Sequence, residues 1–104
     1  MNNLFDVSGK VVLVTGGSRG IGEMIARGFV DGGAKVYISS RKADVCEALA
    51  AELSAKGGTC IAIPADLSTE AECQRLAYEL GQREERLDVL VNNAVVRHFS
   101  PIES

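Results

Sequence analysis

At 104 residues the chain has room for one domain or part of one. Its 46% hydrophobic and 24% charged residues are the balance of a folded globular protein, and no apolar run reaches the roughly 18–20 residues of a membrane span. A net charge of −3 without any Lys/Arg run speaks against a nucleic-acid partner, and three cysteines lacking a C-x-x-C pair, beside one His, speak against a disulfide framework or a zinc site and for reduced thiols.

Residues 1–9 are a polar lead-in with no basic stretch ahead of a long apolar core, so they do not read as a secretory signal; the expected location is cytoplasmic, with no membrane partner. Leu4, Phe5 and Val7 are expected to tuck against the first strand. That strand is Val11 to Val14, four apolar and mostly β-branched residues of the kind that fill a buried parallel strand, stopped by Thr15 and Gly16. Gly17, Gly20 and Gly22 follow. Ile21, Ile25 and Phe29 then recur every four residues, marking one face of a helix from about Arg19 to Asp31 that Gly32-Gly33 ends. Ala34 to Ser39 reads as a second strand and Arg41-Lys42-Ala43 as a loop. Asp44 is placed to cap a second helix carrying Val45, Leu49 and Leu53 on one face and closed by Lys56-Gly57-Gly58. Thr59 to Ile63 is a third strand, stopped by Pro64, and Ala65-Asp66-Leu67 connects it to a third helix. Ser68 and Thr69 both qualify as its N-cap, and Thr69 has Glu72 in position for a capping box. Leu76, Ala77 and Leu80 share a side of this helix, and residues 82–86 form a charged, solvated end. Leu87 to Val91 is a fourth strand that Asn92-Asn93-Ala94 ends, and residues 95–104 form an irregular tail containing Pro101.

Strands alternating with helices predict an α/β fold, a Rossmann-like doubly wound parallel sheet. Right-handed crossovers with a reversal after the third strand give four strands in the order 3-2-1-4 with three helices. The domain is expected to span residues 10–94 and to be incomplete, a truncated version of its fold. The reversal places a ligand crevice at the carboxyl ends of the first and fourth strands, where the glycine turn and Asn92-Asn93 lie. Strand, glycine-rich turn and helix N-terminus together make an anion site, with unpaired amides and the helix dipole facing the ligand. The same glycines serve equally as a tight turn that binds nothing. A Walker-type loop is excluded because no Gly-Lys-Ser/Thr follows the glycines, and the spacing is not G-x-G-x-x-G either.

Thr15-Gly16-Gly17-Ser18-Arg19-Gly20-Ile21-Gly22 resembles the T-G-x-x-x-G-[IL]-G cofactor motif of the short-chain dehydrogenase/reductase family. The resemblance extends over about residues 5–94, the front part of a family domain more than twice this length. It implies that Gly16, Ser18, Arg19, Gly20, Ile21 and Gly22 hold a pyridine nucleotide. In dinucleotide folds the end of the second strand faces the adenosine ribose, where an acid takes the 2′-hydroxyl of NAD. Here Ser39-Ser40-Arg41-Lys42 carries no acid, and Arg41 can fork onto a 2′-phosphate, which points to NADP(H); the alternative is a solvated basic loop. Arg19 resembles the second basic residue of NADP-preferring members. Asp66-Leu67 resembles the family's adenine-contacting D-[LV], although an Asp after Pro64 equally shapes a turn. Asn92-Asn93-Ala94 resembles N-N-A-G, which puts Asn93 and Ala94 along the crevice, while Val95 departs from the family's glycine and works against close cofactor approach.

The resemblance implies an oxidoreductase passing a hydride between NADPH and a small carbonyl or alcohol, closest in look to the 3-oxoacyl carrier reductases. Its catalytic Ser and Y-x-x-x-K pair are expected to be missing: Tyr37 is followed by Arg41 and Tyr78 by Gln82, and His98 lacks a partner at recognisable spacing. The chain as given is therefore expected to assign no catalytic residue and to bind without turnover. A non-catalytic binding module and a degenerate truncated product are the alternatives. With one helix to cover the second sheet face, Val89, Val91 or their neighbours and the open fourth-strand edge are expected to be exposed, favouring self-association.

Overall fold

The computed structural model describes residues 6–16 and 20–93. Its elements are β1 (Val11–Thr15), α1 (Gly20–Asp31), β2 (Lys35–Ser39), α2 (Ala43–Ala55), β3 (Thr59–Ala62), α3 (Glu70–Arg83) and β4 (Val89–Asn92). The four strands are parallel, in the order β3-β2-β1-β4. Thr15 lies level with Ser39 on one side and Asn92 on the other, so three strands end together at one edge. This is the predicted doubly wound sheet. Leu4 and Phe5 lie outside the described residues, while Val7 packs against the core as expected.

Alternation along the strands divides the core in two. Val12, Val14, Val36 and Ile38 face α1 and α2, where they meet Ala26, Val30, Cys46, Leu49 and Leu53. Val11, Leu13 and Tyr37 face α3 and meet Leu76 and Leu80. Two helices thus cover one face and one helix the other.

Several faces differ from the periodic reading. The buried stripe of α1 is Gly22, Ala26 and Val30 rather than Ile21, Ile25 and Phe29. Ile21 is 65% exposed, and Ile25 and Phe29 are half-buried. Small residues face the sheet because α1 approaches it closely, which displaces the bulkier stripe sideways. On α2 the buried positions are Cys46, Leu49, Ala50 and Leu53, with Val45 only half-buried. The N-cap of α2 is Lys42, without a side-chain cap bond; Asp44 is already inside the first turn and its carboxylate accepts from the Val45 amide at 2.9 Å. Thr69 is the N-cap of α3 and its hydroxyl accepts from Glu72 N–H at 3.2 Å. The box is only half closed, because Glu72 turns to the Asp66 amide at 3.4 Å and to Arg75.

The end of α3 is not wholly solvated. Glu84, only 13% exposed, accepts from the Tyr37 hydroxyl at 2.5 Å and pairs with Lys35 at 2.5 Å, pinning α3 to β2. β4 begins two residues later than expected. Its odd residues Val89 and Val91 are half-buried against the α1 side, whereas Leu90 on the α3 side is 57% exposed. Ala77 is likewise exposed, since the sheet does not extend far enough beneath that flank of α3.

Candidate functional site

Thr15 closes β1 and joins it to β4. Its hydroxyl donates to Asn92 Oδ1 at 2.8 Å and accepts from the Asn93 amide at 3.0 Å, which also reaches the Thr15 carbonyl at 3.2 Å. The next residue, Gly16, turns at φ +70°, a left-handed conformation costly for any residue with a Cβ, and its amide donates to the Ser39 carbonyl at 2.7 Å. One turn thereby ties together the ends of β2, β1 and β4.

The helix that follows starts close by. A Cβ on Gly22 would lie 2.0 Å from the Gly16 carbonyl oxygen and 3.0 Å from Asn93 Nδ2, so only glycine lets α1 seat against the turn. The seating brings the first turn of α1, Gly20, Ile21 and Gly22, beside the crevice. First-turn amides have no partner inside a helix and carry the positive end of its dipole. Ser18 and Arg19 lie outside the described residues, as does Ala94.

On the other side of the crevice the chain after β3 runs along the end of β2. Ile63 donates to the Ile38 carbonyl at 2.9 Å and Ala65 to the Ser40 carbonyl at 3.0 Å. This brings Asp66 within reach of the charge on Arg41, which is exposed and held by no ion pair among the described residues, while Leu67 packs against the α3-side core. Asp66 Oδ1 accepts from the Ser68 amide at 3.0 Å, the hydrogen bond of a turn-shaping Asp. The Ser68 hydroxyl and amide hold the Asp66 carboxyl below its ordinary pKa, and the positive charge of Arg41 adds to this. Gly16, Gly20, Ile21, Gly22, Arg41, Asp66, Leu67 and Asn93 therefore gather at the carboxyl edge of the sheet, at the reversal between β1 and β4 and beside β2.

Thr15 and Asn92 both stand in the motifs read from the sequence, but their contact with each other was not foreseen, and Ser39 carried no role there. Thr15 and Asn92 form the clamp between β1 and β4; the signal was a hydroxyl at a strand end level with an Asn pair. Ser39 is fully buried, and its Oγ has no hydrogen-bond partner among the described residues. Nothing in the sequence separates it from Ser40. The two tyrosines stand away from the crevice. Tyr37 is buried under α3 with its hydroxyl on Glu84, and Tyr78 is exposed on α3 itself. Among the described residues no cluster of His, Cys, Asp and Glu could hold a metal ion, and no helix is long and apolar enough to cross a membrane.

Known proteins share this architecture. The sequence model of the short chain dehydrogenase family matches residues 10–104. The rhamnolipids biosynthesis 3-oxoacyl-[acyl-carrier-protein] reductase of Pseudomonas aeruginosa is 52% identical over 104 residues, all of this chain and 40% of that protein. L-fucose dehydrogenase of Mus musculus is 49% identical over 87 residues, 84% of this chain and 30% of the relative. The chain thus spans less than half the length of these curated relatives. Among solved structures, a Pseudomonas aeruginosa RhlG/NADP active-site complex superposes with a TM-score of 0.86 at 52% identity, covering 99% of this chain and 40% of that one. A metagenomic short-chain oxidoreductase in complex with NADP gives a TM-score of 0.81 at 36% identity, covering 94% and 48%. A family match over nearly the full length, on a sheet whose strand order and glycine turn fit it, shows that this chain belongs to the short-chain dehydrogenase family.

Proposed function

We propose that the chain is the NADP(H)-binding part of a cytoplasmic short-chain oxidoreductase. The carrying observation is the meeting of the Gly16 turn, the α1 N-terminus and Arg41 at one sheet edge, with a basic residue where an NAD site places an acid. The residues present fit a dinucleotide. Gly16 and Gly22 keep side chains out of the turn, the first-turn amides of α1 offer donors to a pyrophosphate, and Arg41 is exposed for a 2′-phosphate. In this reading Ser18 and Arg19 complete the turn, Asp66 and Leu67 flank the adenine, and Asn93 and Ala94 line the far wall. When bound, NADPH supplies a hydride for a carbonyl, or takes one from an alcohol. That exchange belongs to a longer protein carrying the catalytic Ser, Tyr and Lys. The similarity to a 3-oxoacyl reductase and to two short-chain oxidoreductases solved with NADP supports this choice of cofactor and reaction class.

Calorimetric titration with NADPH and NADH tests the reading. Charge-assisted hydrogen bonds contribute about 1.5–3 kcal/mol, so one or two favour NADPH by roughly 10- to 1000-fold. Arg41→Ala is expected to remove at least a tenfold share of that preference, and an unchanged preference would remove Arg41 from the site. Folded protein that ignores both nucleotides at millimolar concentration would refute the proposal.

The positions of the tyrosines favour a second statement: this chain alone binds without turning over. Tyr37 is committed to Glu84 beneath α3 and Tyr78 lies on an exposed helix face, so neither is placed to exchange a proton with a substrate in the crevice. NADPH consumption with a panel of ketones is expected to stay at background.

A further inference from the structure

Pro64 ends the run of β3 with a fixed φ and no N–H, so its carbonyl is the only polar backbone group it has. That carbonyl accepts from Arg75 Nη2 at 2.6 Å, its one hydrogen bond among the described residues. The same guanidinium forks onto Glu72, with Nε on Oε2 at 3.0 Å and Nη2 on Oε1 at 2.9 Å. Its Nη1 donates to Glu79 Oε2 at 2.9 Å. Four of the five guanidinium N–H groups are thus committed. Glu72 Oε1 also accepts from the Asp66 amide at 3.4 Å, so one side chain of α3 reaches both ends of the segment 64–66. Pro64, Glu72 and Arg75 are half-buried, which leaves these charges less screened than a fully solvated pair. An Arg that only stabilised α3 would need carboxylates at i−3 and i+4 and nothing else. Here the shortest bond leaves the helix for a carbonyl eleven residues back.

The sheet holds this segment only as far as Ala65, through the bonds of Ile63 and Ala65 to the end of β2. Asp66 has no bond to any strand among the described residues. The Ser68 amide on its Oδ1 at 3.0 Å and the Thr69 amide on its carbonyl at 3.5 Å shape the turn but move with it. Leu67 packs against the core, and the weak Cys73 thiol donor meets its carbonyl at 3.6 Å; both hold the residue after Asp66 rather than Asp66 itself. The fork of Arg75 through Glu72 and Pro64 is what ties Asp66 to the body of α3. We infer, building on the proposed nucleotide site, that Arg75 is a positioning residue for the purine: it holds Asp66 where the carboxylate accepts from the exocyclic amine of adenine, without touching the nucleotide. A turn fixed before binding spares the nucleotide the cost of ordering it. The task suits a planar fork, because a Lys ammonium cannot span a carboxylate and a carbonyl in the same fixed geometry.

Calorimetric titration of the whole chain with NADPH, NADH and the hypoxanthine analogue of NADPH, which carries a carbonyl in place of the amine, tests this role. The parent is expected to prefer adenine over hypoxanthine by about tenfold or more, since in the analogue one acceptor faces another. Arg75→Ala and Arg75→Lys are both expected to shrink that preference by about threefold or more, as the turn loses its preset position. The NADPH-to-NADH ratio, assigned to Arg41, is expected to keep its parent value in both. Partial unfolding lowers all three affinities by one factor and leaves both ratios unchanged, so a weaker helix alone does not produce this result. Gln74→Ala, which breaks the exposed bond to Glu70 on α3 and touches nothing in the turn, is expected to change neither ratio. A full purine preference in either Arg75 variant would overturn the inference, and so would an equal loss in Gln74→Ala. It would also be overturned by an NADPH-to-NADH ratio that falls as far as the purine preference, or by a parent that binds both purines alike. A folded parent that binds none of the three nucleotides would instead remove the nucleotide site itself, and the role of Arg75 with it.

Discussion

A Cβ at Gly22 would sit 2.0 Å from the Gly16 carbonyl oxygen, so one methyl group must move either α1 or the Gly16 turn. Overpacking of this kind costs about 1–3 kcal/mol. Gly22→Ala is expected to lower the urea midpoint accordingly and, by displacing the first-turn amides, to weaken NADPH binding more than Arg41→Ala weakens NADH binding. A variant that keeps both stability and affinity would mean that the helix seats less tightly than this. Two of the three cysteines, Cys46 and Cys60, are chemically quiet by the same kind of local argument. Burial pushes the Cys60 thiol up to about 11 and also raises that of Cys46, so both stay protonated at neutral pH and react slowly with thiol reagents.

Among the elements, α3 is the one held chiefly by polar contacts at its two ends. At its start Thr69→Ala removes the bond to the Glu72 amide and is expected to cost about 1 kcal/mol, measured by denaturant unfolding. At its end Glu84 joins Lys35 and Tyr37. The Lys35 ammonium, and after it the Tyr37 hydroxyl, hold the Glu84 carboxyl below its ordinary value of 4.5. A carboxyl depressed by folding stabilises the protein above its ordinary value and loses that contribution as pH falls through the folded value. Lys35 is raised, first by its hydrogen bond to Glu84, and Tyr37 is raised, first by burial; both contributions are present below the ordinary values and fade as alkaline pH passes the folded ones. Stability is therefore expected to form a plateau at intermediate pH. Glu84→Gln should flatten the acid limb below pH 4.5, and an acid limb identical to the parent would show that other carboxyls set it.

For the molecule as a whole, the imbalance between two helices on one face and one on the other leaves the β4 flank exposed. Bound nucleotide stabilises the fold by mass action. NADPH at about a hundredfold its dissociation constant is expected to add about 2.7 kcal/mol to the stability of the chain, measured by thermal unfolding. No shift at that concentration would count against the nucleotide reading.

The order of strands and helices was legible because each carries its own period, bounded by Gly, Pro or a capping Thr, and because the T-G-x-x-x-G-I-G run marks the one turn where the sheet reverses. The elements that would gather at the crevice were legible for the same reason, since strand ends and glycine turns are local features. Which side of α1 is buried was not: small residues beat large ones there because the helix stands close to the sheet, a distance no periodicity contains. Glu84 reads as one more charge in a solvated run until the fold sets it beside a buried tyrosine 47 residues away. The clamp of Thr15 on Asn92 and Asn93 depends likewise on register between strands remote in the chain. Residue type and spacing determined the topology and the family; contacts across long sequence separations decided which faces close and which stay open.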